Sequence, residues 1–464
     1  MKSDKSKVGD EAVASSSPSF SLRENSVYDV AIIGGGPAGM IAAGRAGELG
    51  ARVILVEKNK NLGRKLLITG KGRCNITNKT DKPREFINKF GKNGEFLFSA
   101  FSRFGTEETI NFFENLGVET KIERGGRVFP ISDKSQDIVN ALINYLRKSN
   151  VKIKLNSEVK EIVKENNRIE KVVLANLKEH SFAEPEARRE KKLVSSSFST
   201  LRCARVNEEI TADKFIVCTG GKSYPKTGST GQGYLWAQKM GHKIIKPTPS
   251  LVPIETKENW VGSLQGVSLK NVSVALFQNN KELDFRFGEM LFTHFGLSGP
   301  IILDLSKKIG ELLATGEVVL KIDFKPALDF LKLDKRLQRD FKRNKDFKNY
   351  LPELLPQKLG DLIVRFSKIS PDKKLNSITR EERKKLIDVL KGLKLTVKGL
   401  IGFSQAIVTS GGVDLKEIDS KTMRSKIIKN LYFAGEILDI DGPTGGYNLQ
   451  VCWTTGYVAG EGVV

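Results

Sequence analysis

Cysteine and histidine are both scarce in this chain. Its 464 residues include four cysteines and three histidines, and these lie far apart: Cys74, Cys203, Cys218 and Cys452, with His180, His242 and His294. A zinc site or a redox dithiol usually shows closely spaced Cys or Cys/His sets such as C-x-x-C, and the sequence has none. We therefore expect no metal centre and reduced thiols, so that any redox chemistry must come from an organic cofactor.

Long apolar runs are also missing. The most apolar stretch, residues 30–56, is interrupted by Arg45, Glu48 and Arg52, whereas a membrane-spanning helix needs about 20 consecutive apolar residues. Residues 1–25 are polar and have no apolar centre of the kind that a secretory signal requires. We expect a disordered tail over residues 1–25, no membrane partner and a cytoplasmic protein.

Acidic residues are fewer than basic ones. The chain has 76 Lys and Arg against 54 Asp and Glu, a net charge of +22, and residues 325–398 alone have 21 against 10. A surplus of this size attracts phosphate polymers or acidic surfaces at long range. A solvated helical surface rich in lysine has the same composition, so that charge alone leaves both interpretations open.

A glycine-rich turn follows the first apolar strand. Residues 28–57 predict a buried strand, a turn, a helix and a second strand, which together form a βαβ unit. Gly34 permits the tight turn, Gly36 lets the backbone approach a pyrophosphate, and Gly39 lets the helix pack closely on the strand. Glu57 ends the second strand, where it can accept hydrogen bonds from ribose hydroxyls and repel a 2′-phosphate. The pattern predicts a nucleotide-binding domain for a dinucleotide other than NADP.

FAD and NAD both fit this fingerprint, and the carboxy-terminal segment favours FAD. Residues 431–436 (L-Y-F-A-G-E) predict a strand ending in Gly435 and Glu436, and a Gly-rich helix start follows. Flavoproteins place such an element around the ribityl chain and the pyrimidine end of the isoalloxazine. Amides from Gly446 to Leu449 at a helix N-terminus can stabilise the negative charge of a reduced flavin.

Four motifs resemble the BaiN/RdsA-like FAD-dependent oxidoreductase family, a group of NAD(P)/FAD-dependent oxidoreductases that includes an aminoacetone oxidase branch. They are I-I-G-G-G-P-A-G at 32–39, G-R-K-L-L-I-T-G-K-G-R-C-N-I-T-N at 63–78, L-F-T-H-F-G-L-S-G-P at 291–300, and F-A-G-E-I-L-D-I-D-G-P-T-G-G-Y-N-L-Q at 433–450. The second and fourth are long and specific. The resemblance implies an α/β protein with a Rossmann-like FAD-binding domain and an inserted β-barrel plus helical domain. The amino-terminal tail and residues 175–207 depart from the family pattern.

The sequence divides accordingly. Residues 251–322 alternate as short strands, and 325–395 are helical in character. We expect a tail over 1–25, a first part of the FAD-binding domain over 26–246, an inserted β-barrel and helical substrate domain over 247–396, and a second part of the FAD-binding domain over 397–464.

The candidate cofactor site combines residues from both parts of the FAD-binding domain. The resemblance implies flavin contacts for Ala38, Glu57, Arg64, Lys65, Asn75 and Asn448, and the pair Arg64 and Lys65 suits pyrophosphate oxygens, although a surface pair would look the same. The full set of expected cofactor-binding residues is Gly34, Gly36, Ala38, Gly39, Glu57, Arg64, Lys65, Asn75, Val159, Thr219, Gly220, Gly435, Glu436, Gly446, Tyr447, Asn448 and Leu449.

The candidate catalytic residues are Lys71, Cys74 and His294. Lys71 and Cys74 belong to a loop that is expected to run along the flavin face, where a donor near N5 or O4 tunes hydride transfer. His294 would be a proton donor over the flavin. Cys74 as a packing residue and His294 as a structural histidine are the alternatives.

The reaction expected is hydride transfer between flavin and substrate. Only one dinucleotide fingerprint is present, so that NAD(P)H would be a transient reductant that leaves before the substrate binds. Within the family's range, which covers a uridine of large-subunit ribosomal RNA, steroid-like enones and small amines, the basic segment favours RNA modification, namely dihydrouridine synthesis. The densest RNA-binding candidates are Lys335, Arg336, Arg339, Lys342 and Arg343, and Phe129, Phe295 or Tyr447 would stack on the base. A small-molecule flavin reductase or amine oxidase and a non-catalytic RNA-binding flavoprotein remain alternatives.

Overall fold

A computed structural model describes residues 27–80, 82–176 and 208–464. The predicted tail over 1–25, most of the insertion over 175–207, His180 and Cys203 lie outside the described residues. The strands are β1 Tyr28–Ile33, β2 Val53–Val56, β3 Thr77–Asn78, β4 Thr120–Glu123, β5 Arg127–Pro130, β6 Lys152–Lys154, β7 Ser157–Glu165, β8 Arg168–Asn176, β9 Glu208–Val217, β10 Ile244–Ser250, β11 Ile254–Thr256, β12 Ser268–Gln278, β13 Lys281–Phe292, β14 Gly296–Ser298, β15 Val319–Asp323, β16 Leu393–Leu400, β17 Val408–Val413 and β18 Leu431–Phe433.

The helices connect and cover these strands. They are α1 Pro37–Glu48, α2 Arg64–Leu67, α3 Pro83–Asn88, α4 Phe98–Phe101, α5 Thr106–Asn115, α6 Ser135–Lys148, α7 Gln232–Lys239, α8 Pro300–Leu313, α9 Phe330–Asp340, α10 Phe347–Leu354, α11 Gly360–Ser367, α12 Arg380–Gly392 and α13 Tyr447–Gly462. No described helix is both long and apolar enough to cross a bilayer.

A parallel sheet forms the centre of the first domain. Strands β6, β2, β1 and β9 lie in that order, and β18 pairs with the end of β9, all in parallel. The residues of β2 are buried throughout, because helices cover both faces of such a sheet. Strands β7 and β8 extend it through an antiparallel pairing with the start of β9. The carboxy-terminal strand thus completes a sheet begun by residues 28–56.

Helix α13 closes this domain by packing on α1. Two glycines make the close approach possible: a Cβ on Gly456 would lie 2.5 Å from the carbonyl oxygen of Ala38, and one on Gly460 would lie 2.6 Å from that of Ala42. Larger side chains at either position would push the helices apart. The Rossmann-type sheet expected from the sequence is confirmed.

A closed six-stranded barrel and five helices form the second domain. The barrel order is β11-β14-β13-β12-β15-β16, and helices α8 to α12 share with it a separate apolar core that includes Leu333, Leu386 and Leu395. The inserted β-barrel plus helical domain is therefore confirmed as a fold class. Its predicted limits, 247 and 396, fall inside β10 and β16 and stay a prediction.

Strands β10 and β17 form a two-stranded antiparallel ribbon that joins the domains. We call this ribbon the neck. Ser250 pairs with Val408, and at the barrel end the amide of Ile407 donates to the carbonyl of Leu251 at 3.1 Å. Leu251 has a φ of +50°, a left-handed conformation that costs a residue with a side chain about 1 kcal/mol or more. The chain therefore enters and leaves the barrel at one point.

Candidate functional site

A cavity of about 370 Å³ lies in the first domain, beside the neck. Its wall includes the glycine-rich turn after β1, the end of β2, the loop before β3, the end of β9, the neck and the turn before α13. All the predicted cofactor-binding residues line it except Gly39 and Tyr447. Segments 400 residues apart in sequence thus share one wall.

The glycine-rich turn has the geometry that a close approach of backbone to ligand requires. Gly34 has a φ of +107°, and a Cβ there would lie 2.5 Å from the carbonyl oxygen of Cys218. A Cβ on Gly39 would lie 1.9 Å from the carbonyl oxygen of Gly34, which explains why Gly39 packs inside the unit and does not line the cavity. Gly36 caps α1, and a Cβ there would meet open space. The positive end of the α1 dipole therefore borders the cavity.

Glu57 is buried at the end of β2, and backbone amides orient its carboxylate. Its Oε2 accepts a hydrogen bond from the Gly35 amide at 2.7 Å, and its Oε1 accepts from the amide and the side chain of Asn59 at 2.8 and 2.6 Å. Only 8% of the residue is exposed. The carboxylate is thereby held in one position on the cavity wall.

Lys65 and Glu436 form an ion pair across the cavity wall. Lys65 Nζ lies 2.7 Å from Glu436 Oε2 and donates to Ser223 Oγ at 2.6 Å. Glu436 Oε1 accepts from the hydroxyl of Ser223 and from the amide of Thr409, both at 2.8 Å. The charge of Lys65 is therefore paired inside the protein. Arg64, in contrast, is exposed, and its guanidinium donates a hydrogen bond to Asn59 Oδ1 at 2.6 Å.

The turn before α13 is held by side chains from both domains. Asn448 accepts from the Gly442 amide at 2.8 Å and donates to the carbonyl of Gly442 at 2.9 Å. From α8 of the barrel domain, Asp304 accepts from the Thr444 amide at 2.8 Å. Gly446 caps α13 with a φ of +100°, and a Cβ there would lie 2.4 Å from Thr77. Amides at the start of α13 therefore border the cavity in a fixed arrangement.

Two buried oxygens on the wall are without partners. Asn75 Oδ1 and Thr219 Oγ1 make no hydrogen bond to any described residue, although both are shielded from solvent. A buried polar atom without a partner costs about 1–3 kcal/mol, and both residues line the cavity. Together with the two helix N-termini and Glu57, they fit a large polar ligand of the FAD type.

None of the three predicted catalytic residues lines the cavity. Cys74 is fully buried, and burial raises the pKa of its thiol to about 12, so that it is a protonated packing residue. Lys71 is exposed with a φ of +59° in the turn after α2. His294 is exposed between β13 and β14, beside the ring of Phe295 at 4.8 Å. A catalytic role for these residues stays a prediction, and the cavity lining does not include them.

Sequence reasoning missed two parts of the wall. The barrel end of the neck contributes Val408, together with the adjoining Leu251 and Ile407. The turn before α7 contributes residues 227–230 together with Gln232, whose side chain donates to the carbonyl of Val159 at 3.0 Å. The run G-S-T-G-Q-G at 228–233 was the available signal for the turn. The contribution of the neck depends on strand pairing between residues 160 positions apart, for which the sequence has no local signal.

The predicted RNA-binding cations lie on and just after α9, away from the cavity wall. Three of the five pair with carboxylates: Arg336 and Arg339 with Asp340, and Arg343 with Glu353. Lys335 and Lys342 are exposed, and neither has a carboxylate within ion-pair distance among the described residues. Of the predicted stacking aromatics, Phe129 is buried under the guanidinium of Arg73 at 4.1 Å, and Tyr447 is half-buried among phenylalanines.

The chain matches a family model described as the HI0933-like protein Rossmann domain, over residues 28–185 and 186–462. It is 31% identical over 437 residues to a 3-dehydro-bile acid delta(4,6)-reductase of Clostridium scindens, covering 93% of this chain and 98% of that protein. It is also 31% identical over 444 residues to a ribosomal RNA dihydrouridine synthase of Escherichia coli strain K12, covering 94% of this chain and 98% of that protein.

Among solved structures, the chain is similar in fold to a 3-ketosteroid delta1-dehydrogenase from Sterolibacterium denitrificans in complex with 1,4-androstadiene-3,17-dione. The TM-score is 0.51 at 13% identity, covering 94% of this chain and 99% of that one. This likeness concerns the fold alone.

Proposed function

The chain belongs to the family of the HI0933-like protein Rossmann domain and is an FAD-dependent oxidoreductase, and from this premise we propose that it reduces a uridine of large-subunit ribosomal RNA to dihydrouridine. The observation that carries the proposal is the cavity of about 370 Å³, which lies at the nucleotide-binding sheet beside the neck that leads to the barrel domain, on a strongly basic chain. The residue roles that follow are part of the proposal.

The cofactor would lie along the cavity wall from β2 to α13. The carboxylate of Glu57 would accept hydrogen bonds from the adenosine ribose, and the turn at Gly34 and Gly36 would bind the pyrophosphate at the N-terminus of α1. Amides from Gly446 to Leu449 would bind the pyrimidine end of the flavin, and Asn75 and Thr219 would supply their unpaired oxygens to polar groups of the cofactor.

When bound, FAD supplies hydride chemistry between a reductant and a carbon of the substrate. We propose NAD(P)H as the transient reductant, because the described residues contain one Rossmann unit. Arg64 and the N-terminus of α1 would bind the negatively charged phosphates of the cofactor. Lys65 would orient the carboxylate of Glu436 through their ion pair. The apolar side chains of Leu251, Ile407 and Val408 would keep water from that part of the wall.

Two observations support RNA as the substrate. The net charge of +22 is spread over many exposed Lys and Arg, which suits a polymer with many phosphates. The Escherichia coli relative is named for dihydrouridine synthesis in ribosomal RNA. A ribosomal substrate would also place the protein in the cytoplasm, as its composition predicts.

A small-molecule reductase is the second candidate function. It is favoured by the equal identity, 31%, to the bile acid reductase of Clostridium scindens. An enone of that kind carries no phosphates and needs no basic surface, so that the positive charge would then be incidental.

Mapping of dihydrouridine in ribosomal RNA from a deletion strain tests the proposal. We expect one dihydrouridine of the large-subunit RNA to disappear on deletion and to return with the wild-type gene. A variant lacking the flavin should fail to restore it, which separates an enzyme from an RNA-binding flavoprotein. An unchanged dihydrouridine content in the deletion strain would favour the small-molecule substrate.

A further inference from the structure

Five exposed cations lie near the candidate flavin cavity but do not line it. They are Lys79, Arg84, Lys89, Lys92 and Arg124, which we call the basic rim. Among the described residues, no carboxylate lies within ion-pair distance of any of these five side chains. The rim therefore differs from the α9 region, where three of five cations are paired.

Aromatic packing holds the first four rim residues against the cavity wall. The segment 79–92 includes Phe86, whose ring centroid lies 4.7 Å from that of Tyr447, the residue after Gly446. A Cβ on Gly442 would lie 2.6 Å from the ring of Phe90, so that this ring touches the turn before α13 directly. Helix α3 and its flanking lysines are thus seated on the turn that borders the cavity.

Hydrogen bonds hold the fifth rim residue in the same neighbourhood. Arg124 begins the tip of the β4–β5 hairpin, whose sequence is R-G-G-R at 124–127. Asn78 Nδ2 donates both to the carbonyl of Gly125 at 2.9 Å and to that of Gly445 at 3.1 Å. One side chain therefore connects the hairpin tip to the cavity wall.

The lysines of the rim also lie near acidic groups beside the turn before α13, namely Asp304 of α8 and Asp439. Burial raises the pKa of Asp304, and the charges of Arg286 and Lys89 oppose that effect. Burial likewise raises the pKa of Asp439, and Lys307 and Lys92 are among the charges that oppose it. Lys89 and Lys92 therefore lie close enough to the turn before α13 to act on it electrostatically.

We propose that the basic rim binds the phosphates of a single-stranded RNA segment whose target base enters the cavity. The inference rests on the proposed function. Base chemistry requires an unstacked nucleotide, and its flanking phosphates must then lie close to the cavity, where cations from α3 and from the hairpin tip are available. The cations near α9 would contact more distant RNA and would not position the target base.

Charge reversal with a matched control tests this assignment. The rim variant carries Lys79→Glu, Arg84→Glu, Lys92→Glu and Arg124→Glu. The control replaces four exposed lysines that do not line the cavity, and it carries Lys148→Glu, Lys152→Glu, Lys164→Glu and Lys239→Glu. Both change the net charge equally. Fluorescence anisotropy would measure binding to large-subunit ribosomal RNA purified from the deletion strain, over a range of salt concentrations. Flavin absorbance and thermal melting confirm that both variants are folded.

We expect the rim variant to bind RNA at least tenfold more weakly than the wild type. The slope of log affinity against log salt concentration should fall in magnitude by roughly 0.7 for each lost contact with a single strand. The control should change little in both respects. A set with glutamine at the same four rim positions should show a smaller loss in the same direction. Equal affinity of rim variant and wild type, or equal losses in rim variant and control, would overturn the rim assignment and leave the proposed function standing. A wild-type protein that holds flavin but ignores RNA at low salt would overturn both.

Discussion

Glu57 illustrates how one buried carboxylate serves both the fold and the site. Its two oxygens accept from amides of Gly35 and Asn59, so that the donors are satisfied only while the carboxylate is present. For Glu57→Ala we expect loss of bound FAD on dialysis and a loss of about 1–3 kcal/mol in stability, because buried donors are left unpaired. The ratio of flavin to protein absorbance and the thermal midpoint measure the two effects.

Glu161→Ala is the control for that experiment, because Glu161 is exposed on β7 and does not line the cavity. It should retain its flavin. If Glu57→Ala held FAD as firmly as the wild type, the ribose assignment would be wrong.

His242 makes stability depend on pH. It is 2% exposed, and burial lowers its pKa from the ordinary 6.5, while Glu417, 3.1 Å from Nδ1, opposes that shift. As pH falls below about 6.5, the unfolded chain takes up this proton before the folded one, so that folding stability falls until the folded-state pKa is passed. His242→Gln should remove this contribution to the slope of urea midpoint against pH.

The wild-type protein, measured between pH 8 and pH 5, provides the comparison. If His242→Gln kept the wild-type slope of urea midpoint against pH, the buried imidazole would not be the titrating group.

At the scale of elements, the neck leads to a prediction about removal of the barrel domain. Leu251 and Ile407 are joined by a backbone hydrogen bond of 3.1 Å, and the two domains have separate apolar cores. Deleting residues 252–406 and joining the ends with a short Gly/Ser linker should leave a folded protein that still binds FAD. Affinity should be lower than in the full chain, because the Thr444 amide loses Asp304 as its partner.

Flavin titration of the shortened protein checks this expectation, with circular dichroism to establish that it is folded. A folded product without any flavin binding would show that the barrel domain belongs to the cofactor site. It would also mean that the predicted division of the chain is wrong.

The basic helices lead to a prediction of their own. Because Arg336, Arg339 and Arg343 are already paired with carboxylates, Lys335 and Lys342 should make most of the phosphate contacts on this surface. Reversing these two charges should weaken RNA binding uniformly across sequences, reduce the salt slope by roughly 0.7–0.9 per contact, and leave flavin reduction by NAD(P)H unchanged. Unchanged RNA affinity would show that these two lysines are exposed to solvent without contacting RNA.

Elements with local signals were the ones that the sequence predicted well. The apolar spacing of residues 135–148 predicts an amphipathic helix, and α6 spans Ser135–Lys148, because such spacing is visible in a short window. Strands β1 and β2 and the turn between them were equally visible. The ion pair of Lys65 with Glu436 joins residues 371 positions apart, and the neck pairs strands that a whole domain separates. Such contacts depend on tertiary packing, so that no local pattern could reveal them.

For the whole molecule, a cofactor site shared by both parts of the first domain predicts a simple stoichiometry. Both parts of the first domain contribute to one wall, so that the purified protein should be yellow, with about one FAD per chain by absorbance after denaturation and release. A colourless protein that binds NAD in its place would contradict the assignment of the cofactor.

The late return of the chain to its first sheet has a consequence for biosynthesis. Strand β18 joins β9 about 214 residues after β9 ends, and at roughly 5–20 residues per second a ribosome needs about 10–40 s to make that stretch. The barrel domain is continuous in sequence and can fold during this interval, whereas β9 waits with one edge unpaired. Nascent chains should therefore acquire the barrel before they can retain FAD, and a ribosome stalled before residue 431 should display a folded barrel on an open, cofactor-free sheet.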